Sequence, residues 1–148
     1  MSNRISILAL LAICFLLFVK CGGSDPTAEE KVKKILTKGT GTWTPSEANA
    51  ITLEGIDVYA DLFPGFTIRF TADKIFTTGT SPVWLREDTW HFKEGSKAKI
   101  IIRGMDDKEI AIEEVSSAKL KLTLEWDQTT YGGRSSSLPG LYEFILNK

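Results

Sequence analysis

Apolar and polar positions follow two different periods along this chain. Over Thr27 to Lys38, Val32, Ile35 and Leu36 recur at i, i+3 and i+4, while Lys31, Lys33, Lys34 and Lys38 face elsewhere. That is one apolar stripe of an amphipathic helix of about three turns. Thr27 followed by Glu30 predicts a capping box, Glu29 and Glu30 suit the positive end of the helix dipole, and Gly39 predicts the stop. Beyond Gly39 the period becomes two. Trp43 sits between Thr42 and Thr44, and Phe66, Ile68 and Phe70 alternate with Thr67, Arg69 and Thr71. Ile75 to Thr78 is β-branched and aromatic, and Trp90 and Phe92 alternate with Thr89, His91 and Lys93. Ile110 and Ile112 alternate with Glu109, Ala111 and Glu113, and Leu120, Leu122, Leu124 and Trp126 with Lys119, Lys121, Thr123 and Glu125. Tyr142, Phe144 and Leu146 make the last strand. Three consecutive Ile within Lys99 to Arg103 predict burial on both faces or a switch between sheets. Gly, Pro, Asn, Asp and Ser clusters separate these runs, so about eight strands with short antiparallel connections form a meander. A two-sheet sandwich and a closed barrel both bury eight one-sided strands.

The N-terminus has a different pattern. Arg4 precedes an uncharged run, Ile5 to Val19. Fifteen helical residues rise about 22 Å, short of the roughly 30 Å hydrocarbon core, which favours a secretory signal over a permanent span. The run ends at Lys20-Cys21-Gly22-Gly23-Ser24-Asp25-Pro26. A Cys closing the apolar run before small, flexible residues resembles a bacterial lipoprotein cleavage site. The resemblance implies cleavage after residue 20, a lipid thioether on Cys21 and acylation (palmitate or similar) of its amine. Lys20 departs from the small residue usual before the Cys, and Cys14 is the rival position. The expected organisation is a signal peptide over 1–20, a tether over 21–26 and one domain over 27–148. The expected address is the cell envelope, as an outer-membrane lipoprotein facing the periplasm or the surface.

Composition changes this picture little. The chain has 148 residues, 43% apolar and 25% charged, with a net charge of −1. That excludes a disordered or polytopic membrane protein and offers no basic field for nucleic acid. Removing Arg4 and Lys20 with the signal takes the charge from −1 to −3 and leaves Cys21 as the one cysteine. No disulfide is then available, so the core must supply the stability.

The helix leading into Gly41-Thr42-Trp43, then Phe66 to Thr71, Pro82-Val83-Trp84, Thr89-Trp90-His91-Phe92, Leu120 to Trp126 and Gly140 to Phe144 resemble the lipocalin-like lipoproteins of Gram-negative bacteria. The likeness covers most of Ala28 to Lys148. It implies an all-β, antiparallel eight-stranded lipocalin-like barrel with a short N-terminal helix, on a lipid anchor. It also implies that Trp43 plugs the closed end, often beneath an Arg, for which Arg134 and Arg103 are the candidates.

Residues suited to catalysis are scarce. His91 is the single His and lies opposite Trp90 and Phe92, facing solvent. No Gly-x-Ser-x-Gly elbow, phosphate loop or calcium-loop spacing occurs, and Asp106-Asp107 reads as a hairpin turn. Glu113 and Glu114, being adjacent, should point to opposite faces. We therefore expect no enzyme, no cofactor and no metal. The aromatics on the apolar faces either line a cavity or fill a core. Trp43, Phe70, Trp90, Trp126 and Tyr142 are the candidate contacts for a small apolar or amphipathic ligand. Trp84, in a turn-rich segment with Pro82, Val83 and Leu85, is the candidate contact for a protein or glycan partner, the alternative in which a filled barrel displays loops. The polar Tyr131 to Pro139 loop predicts mobility. A monomer, with no nucleic-acid partner, is expected.

Overall fold

Thr27 starts the helix as the sequence predicts. Its hydroxyl accepts from the Glu30 N–H at 3.1 Å, and the Glu30 carboxylate accepts from the Thr27 N–H at 2.7 Å. Helix α1 (Ala28–Thr37) follows, with Glu29 and Glu30 in its first turn and Lys34 in its last. The computed structural model describes residues 25–129 and 137–148. Cys14, Cys21, the signal and Arg134 lie outside the described residues, as does most of the 131–139 loop.

Ten strands and one further short helix come after α1. They are β1 (Thr42–Pro45), β2 (Ile51–Leu53), β3 (Ile56–Asp57), α2 (Tyr59–Leu62), β4 (Thr67–Phe70), β5 (Lys74–Thr78), β6 (Glu87–Phe92), β7 (Ile100–Arg103), β8 (Glu109–Val115), β9 (Lys119–Trp126) and β10 (Gly140–Asn147). Hydrogen bonding runs β1-β4-β5-β6-β7-β8-β9-β10, and β10 returns to β1 through Thr44↔Asn147 and Pro45↔Leu146. The domain is thus a closed, antiparallel, eight-stranded lipocalin-like barrel, not a sandwich. Closure leaves none of these eight strands as an open edge. The β2–β3 hairpin is an addition. β2 continues the line of β1 along the mouth half of β10, pairing Leu53 with Tyr142 and Ile51 with Phe144.

Alternation holds where it was clearest. In β9, Leu120, Leu122, Leu124 and Trp126 are all buried, and in β10 Tyr142, Phe144 and Leu146 face them. Two local expectations are corrected. The three Ile of β7 do not bury both faces. Ile101 points in and Ile100 and Ile102 are half-buried outside, so the same alternation turns Arg103 inward. Glu113 and Glu114 do not split between faces either. A bulge between Ile112 and Glu114 breaks the register, and both carboxylates are exposed.

Glycine is required at one point that orders the barrel's lower end. Gly41 has φ +68°, and a Cβ there would stand 2.2 Å from the Phe70 carbonyl oxygen. Only glycine lets the chain turn from α1 and still place its own carbonyl for the Phe70 N–H at 2.9 Å.

Candidate functional site

The barrel has two unlike ends. At one, α1 packs on β4 and β8, which lie four strands apart in a ring of eight. The helix therefore spans the opening and caps it. Leu36 enters the core with no exposed surface, with Val32 and Ile35 half-buried beside it. Trp43 is fully buried beneath the helix and its indole N–H donates to the Leu36 carbonyl at 3.1 Å. The cation over Trp43 is Lys148, 4.5 Å from the ring centroid, whose ammonium also donates to the Ile35 carbonyl at 2.7 Å. Burial lowers the Lys148 pKa, and the neighbouring Lys38 charge lowers it further.

Phe70, Trp90 and Phe92 form a T-shaped series on the flank of this end, at 5.6 Å and 5.1 Å between centroids. The Trp90 indole N–H donates to the Thr71 carbonyl at 3.1 Å, and Lys33 stands 5.6 Å from the ring. Trp90, His91 and Phe92, with Lys33, Glu30 and Asp73, line an open cleft of about 490 Å³. His91 is exposed there, as the alternation predicts.

The other end is the mouth. α2 and the segment after it fold Phe63 into the core, edge-on to Phe66, Tyr142 and Phe144 at 5.5–5.9 Å. The segment Ser81–Leu85 tucks in beside it. The Thr77 hydroxyl donates to the Leu85 carbonyl at 2.8 Å, and the Ser81 hydroxyl to the Trp84 carbonyl at 3.3 Å. Arg103 then closes the mouth. Its guanidinium lies between the Trp84 and Trp126 rings, 5.3 Å and 5.4 Å from their centroids. It donates to the Val83 carbonyl at 2.5 Å and to both Asp106 carboxylate oxygens at 3.2 Å and 2.5 Å. Arg103 is 1% exposed. This is a charge taken out of water and matched by a fork–fork ion pair, a carbonyl and two aromatic faces.

Asp88 lies close by. One of its oxygens accepts from the Thr89 N–H at 2.7 Å and the Met105 N–H at 3.1 Å, which ties β6 to the β7–β8 turn. The other oxygen has no hydrogen-bond partner among the described residues. Burial raises the Asp88 pKa above its ordinary value, against the Thr89 N–H, the Arg103 charge and the Met105 N–H, which pull it down.

The candidate residues from the sequence therefore separate. Trp43, Phe70, Trp126 and Tyr142 are buried to within 1% and pack against side chains and main chain, with the Tyr142 hydroxyl donating to the Leu138 carbonyl at 2.8 Å. Trp90 borders the open cleft beside the helix. Trp84 is 2% exposed. The contact role expected for it needs surface that its indole does not have, because it serves as one face of the Arg103 clamp. Arg103 does not cover Trp43, which lies at the opposite end of the barrel. The residue that sequence reasoning missed is Asp106, whose pairing with Arg103 takes it out of the purely turn-forming role. Among the described residues no group of three or more His, Cys, Asp or Glu could hold a metal ion.

The class that these features define is a packed lipocalin-like barrel, capped by a helix at one end and clamped by an arginine at the other. None of the protein-family models, curated proteins or solved structures compared with this chain matches it.

Proposed function

We propose that this chain is a non-catalytic cell-envelope lipoprotein of the lipocalin-like kind, anchored through Cys21, whose barrel is a scaffold and whose mouth rim meets a protein partner. The observation that carries this reading is where exposed apolar surface lies. Among the described residues the exposed large hydrophobics are Ile56, Met105, Leu138 and Leu141. All four belong to the mouth end, on the β2–β3 tip, the β7–β8 turn and the start of β10. Apolar side chains gathered at one rim suit a protein surface. A glycan would need an exposed aromatic platform, and the four Trp are 0–5% exposed. The interior gives no support to an internal ligand, since Trp43, Trp84, Trp126, Arg103, Tyr142, Phe63, Phe66, Phe70 and Phe144 occupy it.

The test is a photocrosslinking residue placed at Met105, compared with one at Lys97, in cells that make the protein. We expect a discrete adduct from position 105 and none from 97. Equal adducts from both positions, or none from either, reject the rim.

A second reading has one observation in its favour: the cleft beside Trp90 and Phe92, which would hold an amphipathic molecule on the outside of the barrel. Titration with dodecanoate should then quench tryptophan fluorescence saturably in the wild type and not in Trp90→Phe. Under the leading reading both proteins are unaffected.

A further inference from the structure

We infer that the helix-capped end of the barrel is a lipid-docking face that lies flat on an anionic bilayer, with the mouth pointing away from it. The inference rests on the anchored-lipoprotein reading above and adds an orientation to it.

The first observation is the outer surface of α1. Lys31, Lys34 and Lys38 are exposed and recur at i, i+3 and i+7, one stripe on the side away from Leu36. Because α1 spans the barrel from β4 to β8, that stripe looks outward from the capped end. None of the ion pairs among the described residues involves these three lysines. The β6–β7 connection at the same end adds exposed Lys97 and Lys99, against Glu94 there, Asp73 in the β4–β5 turn and Asp25 ahead of α1. The acids of α1, Glu29 and Glu30, lie in its first turn, and Glu30 is turned back into the capping box.

The second observation is the opposite sign at the other end. Among the described residues the mouth connections carry Glu54, Asp57, Asp61, Asp107 and Asp127, with Arg86 and Lys108 as the exposed or half-buried bases, and Lys108 is already paired with Asp127. An excess of cations at one end and of anions at the other makes a dipole along the barrel axis. An anionic surface attracts the first and repels the second.

The third observation is where the chain leaves. The described structure begins at Asp25, at the capped end, and the 24 residues before it hold the apolar run and Cys21. A tether of a few residues holds the domain within a Debye length or two of the surface, where lysines still feel anionic headgroups. Tether and charge thus act on the same face.

The experiment uses the full chain reconstituted on vesicles, with lysines acylated by a membrane-impermeant reagent and read by mass spectrometry. One set of vesicles is phosphatidylcholine and the other has phosphatidylglycerol mixed in. At roughly the free energy one lysine contributes near an anionic surface, Lys31, Lys34 and Lys38 should react about fivefold more slowly on the anionic vesicles. Lys108 at the mouth should not change, and 1 M salt should abolish the difference. The variant Lys31→Glu/Lys34→Glu/Lys38→Glu, confined to exposed positions, should free Lys97 and Lys99 as well. Flotation separates this idea from the anchor. Protein that floats with both vesicle types but shows equal lysine reactivity overturns the docking face and leaves the anchor standing. Protein that floats only with anionic vesicles, with the stripe protected, supports the face and rejects the anchor. Protein that floats with neither rejects both. Soluble polyglutamate protecting the same lysines as strongly as the vesicles would make the face an acidic-polymer site and overturn the lipid assignment.

Discussion

Each end of this barrel sets a cation against tryptophan, and the two arrangements differ in what surrounds the charge. At the capped end Lys148 lies over Trp43 while remaining exposed, and it donates to one carbonyl. At the mouth Arg103 is sealed between Trp84 and Trp126 and held by Asp106 and the Val83 carbonyl. An exposed cation over a ring contributes about 0.5–1 kcal/mol, whereas a desolvated one contributes about 2 kcal/mol or more. The buried charge also depends on every partner, because a bare guanidinium or carboxylate in the interior has no water to turn to. The capped end is therefore held by packing of α1 and decorated with a cation. The mouth is held by the cation itself.

The largest break in this comparison is Arg103→Ala. It leaves Asp106 half of an ion pair and opens a gap between two indoles, so we expect a loss of about 3–5 kcal/mol. Arg103→Lys keeps the charge but loses the fork and the flat stacking surface, and should fall between the alanine variant and wild type. Urea unfolding followed by tryptophan fluorescence measures both. A lysine variant as stable as wild type would show that charge alone closes the mouth.

How much of this could be read in the sequence depends on the range of the interaction. The α1 cap was legible because Thr27 and Glu30 are three residues apart and the capping box is local chemistry. The eight barrel strands were legible because alternation is a property of each run by itself. The β2–β3 hairpin and α2 were not. Ala50 to Leu53 is too short to show a period, and Ile56 to Phe63 mixes Asp and apolar residues at neither spacing. The pairing of β10 with both β1 and β2 depends on a break at Ser46 to Asn49, where Asn49 takes φ 63°, and no hydrophobic pattern encodes that. The Arg103 clamp was half-legible. Parity with Ile101 places Arg103 inside, a signal that the three-Ile run obscured. Its partners come from two connections and the end of β9, which only the closed barrel assembles. The cation over Trp43 comes from the last residue of the chain, so no local spacing could nominate it.

Lys148→Ala sharpens the comparison from the other side. The side chain is exposed, its pKa is lowered, and α1 stays in place through Leu36 and the Trp43 hydrogen bond. We expect a loss of about 0.5–1 kcal/mol, several-fold smaller than for Arg103→Ala. Thermal or urea midpoints of the two variants, measured together, test the ratio. A lysine effect equal to the arginine effect would mean that the capped end also depends on its cation.

The smallest effect, and the one whose sign is informative, is Asp88→Asn. Burial raises the Asp88 pKa above 3.8. The folded domain therefore holds this proton more tightly than the unfolded chain does. The contribution of Asp88 to stability is most favourable below about pH 3.8 and is lost as pH rises through the raised value. At neutral pH the ionised carboxylate is a net cost, with one oxygen lacking a partner among the described residues. Asparagine keeps an oxygen for the Thr89 and Met105 N–H groups and removes the charge. We expect Asp88→Asn to be slightly more stable than wild type at pH 7, with the advantage shrinking as pH falls toward 4. Urea midpoints at the two pH values decide the matter. An asparagine variant less stable at pH 7 would mean that attraction to Arg103 outweighs burial, so that the mouth clamp has two carboxylates, Asp88 as well as Asp106, against the single lysine of the capped end.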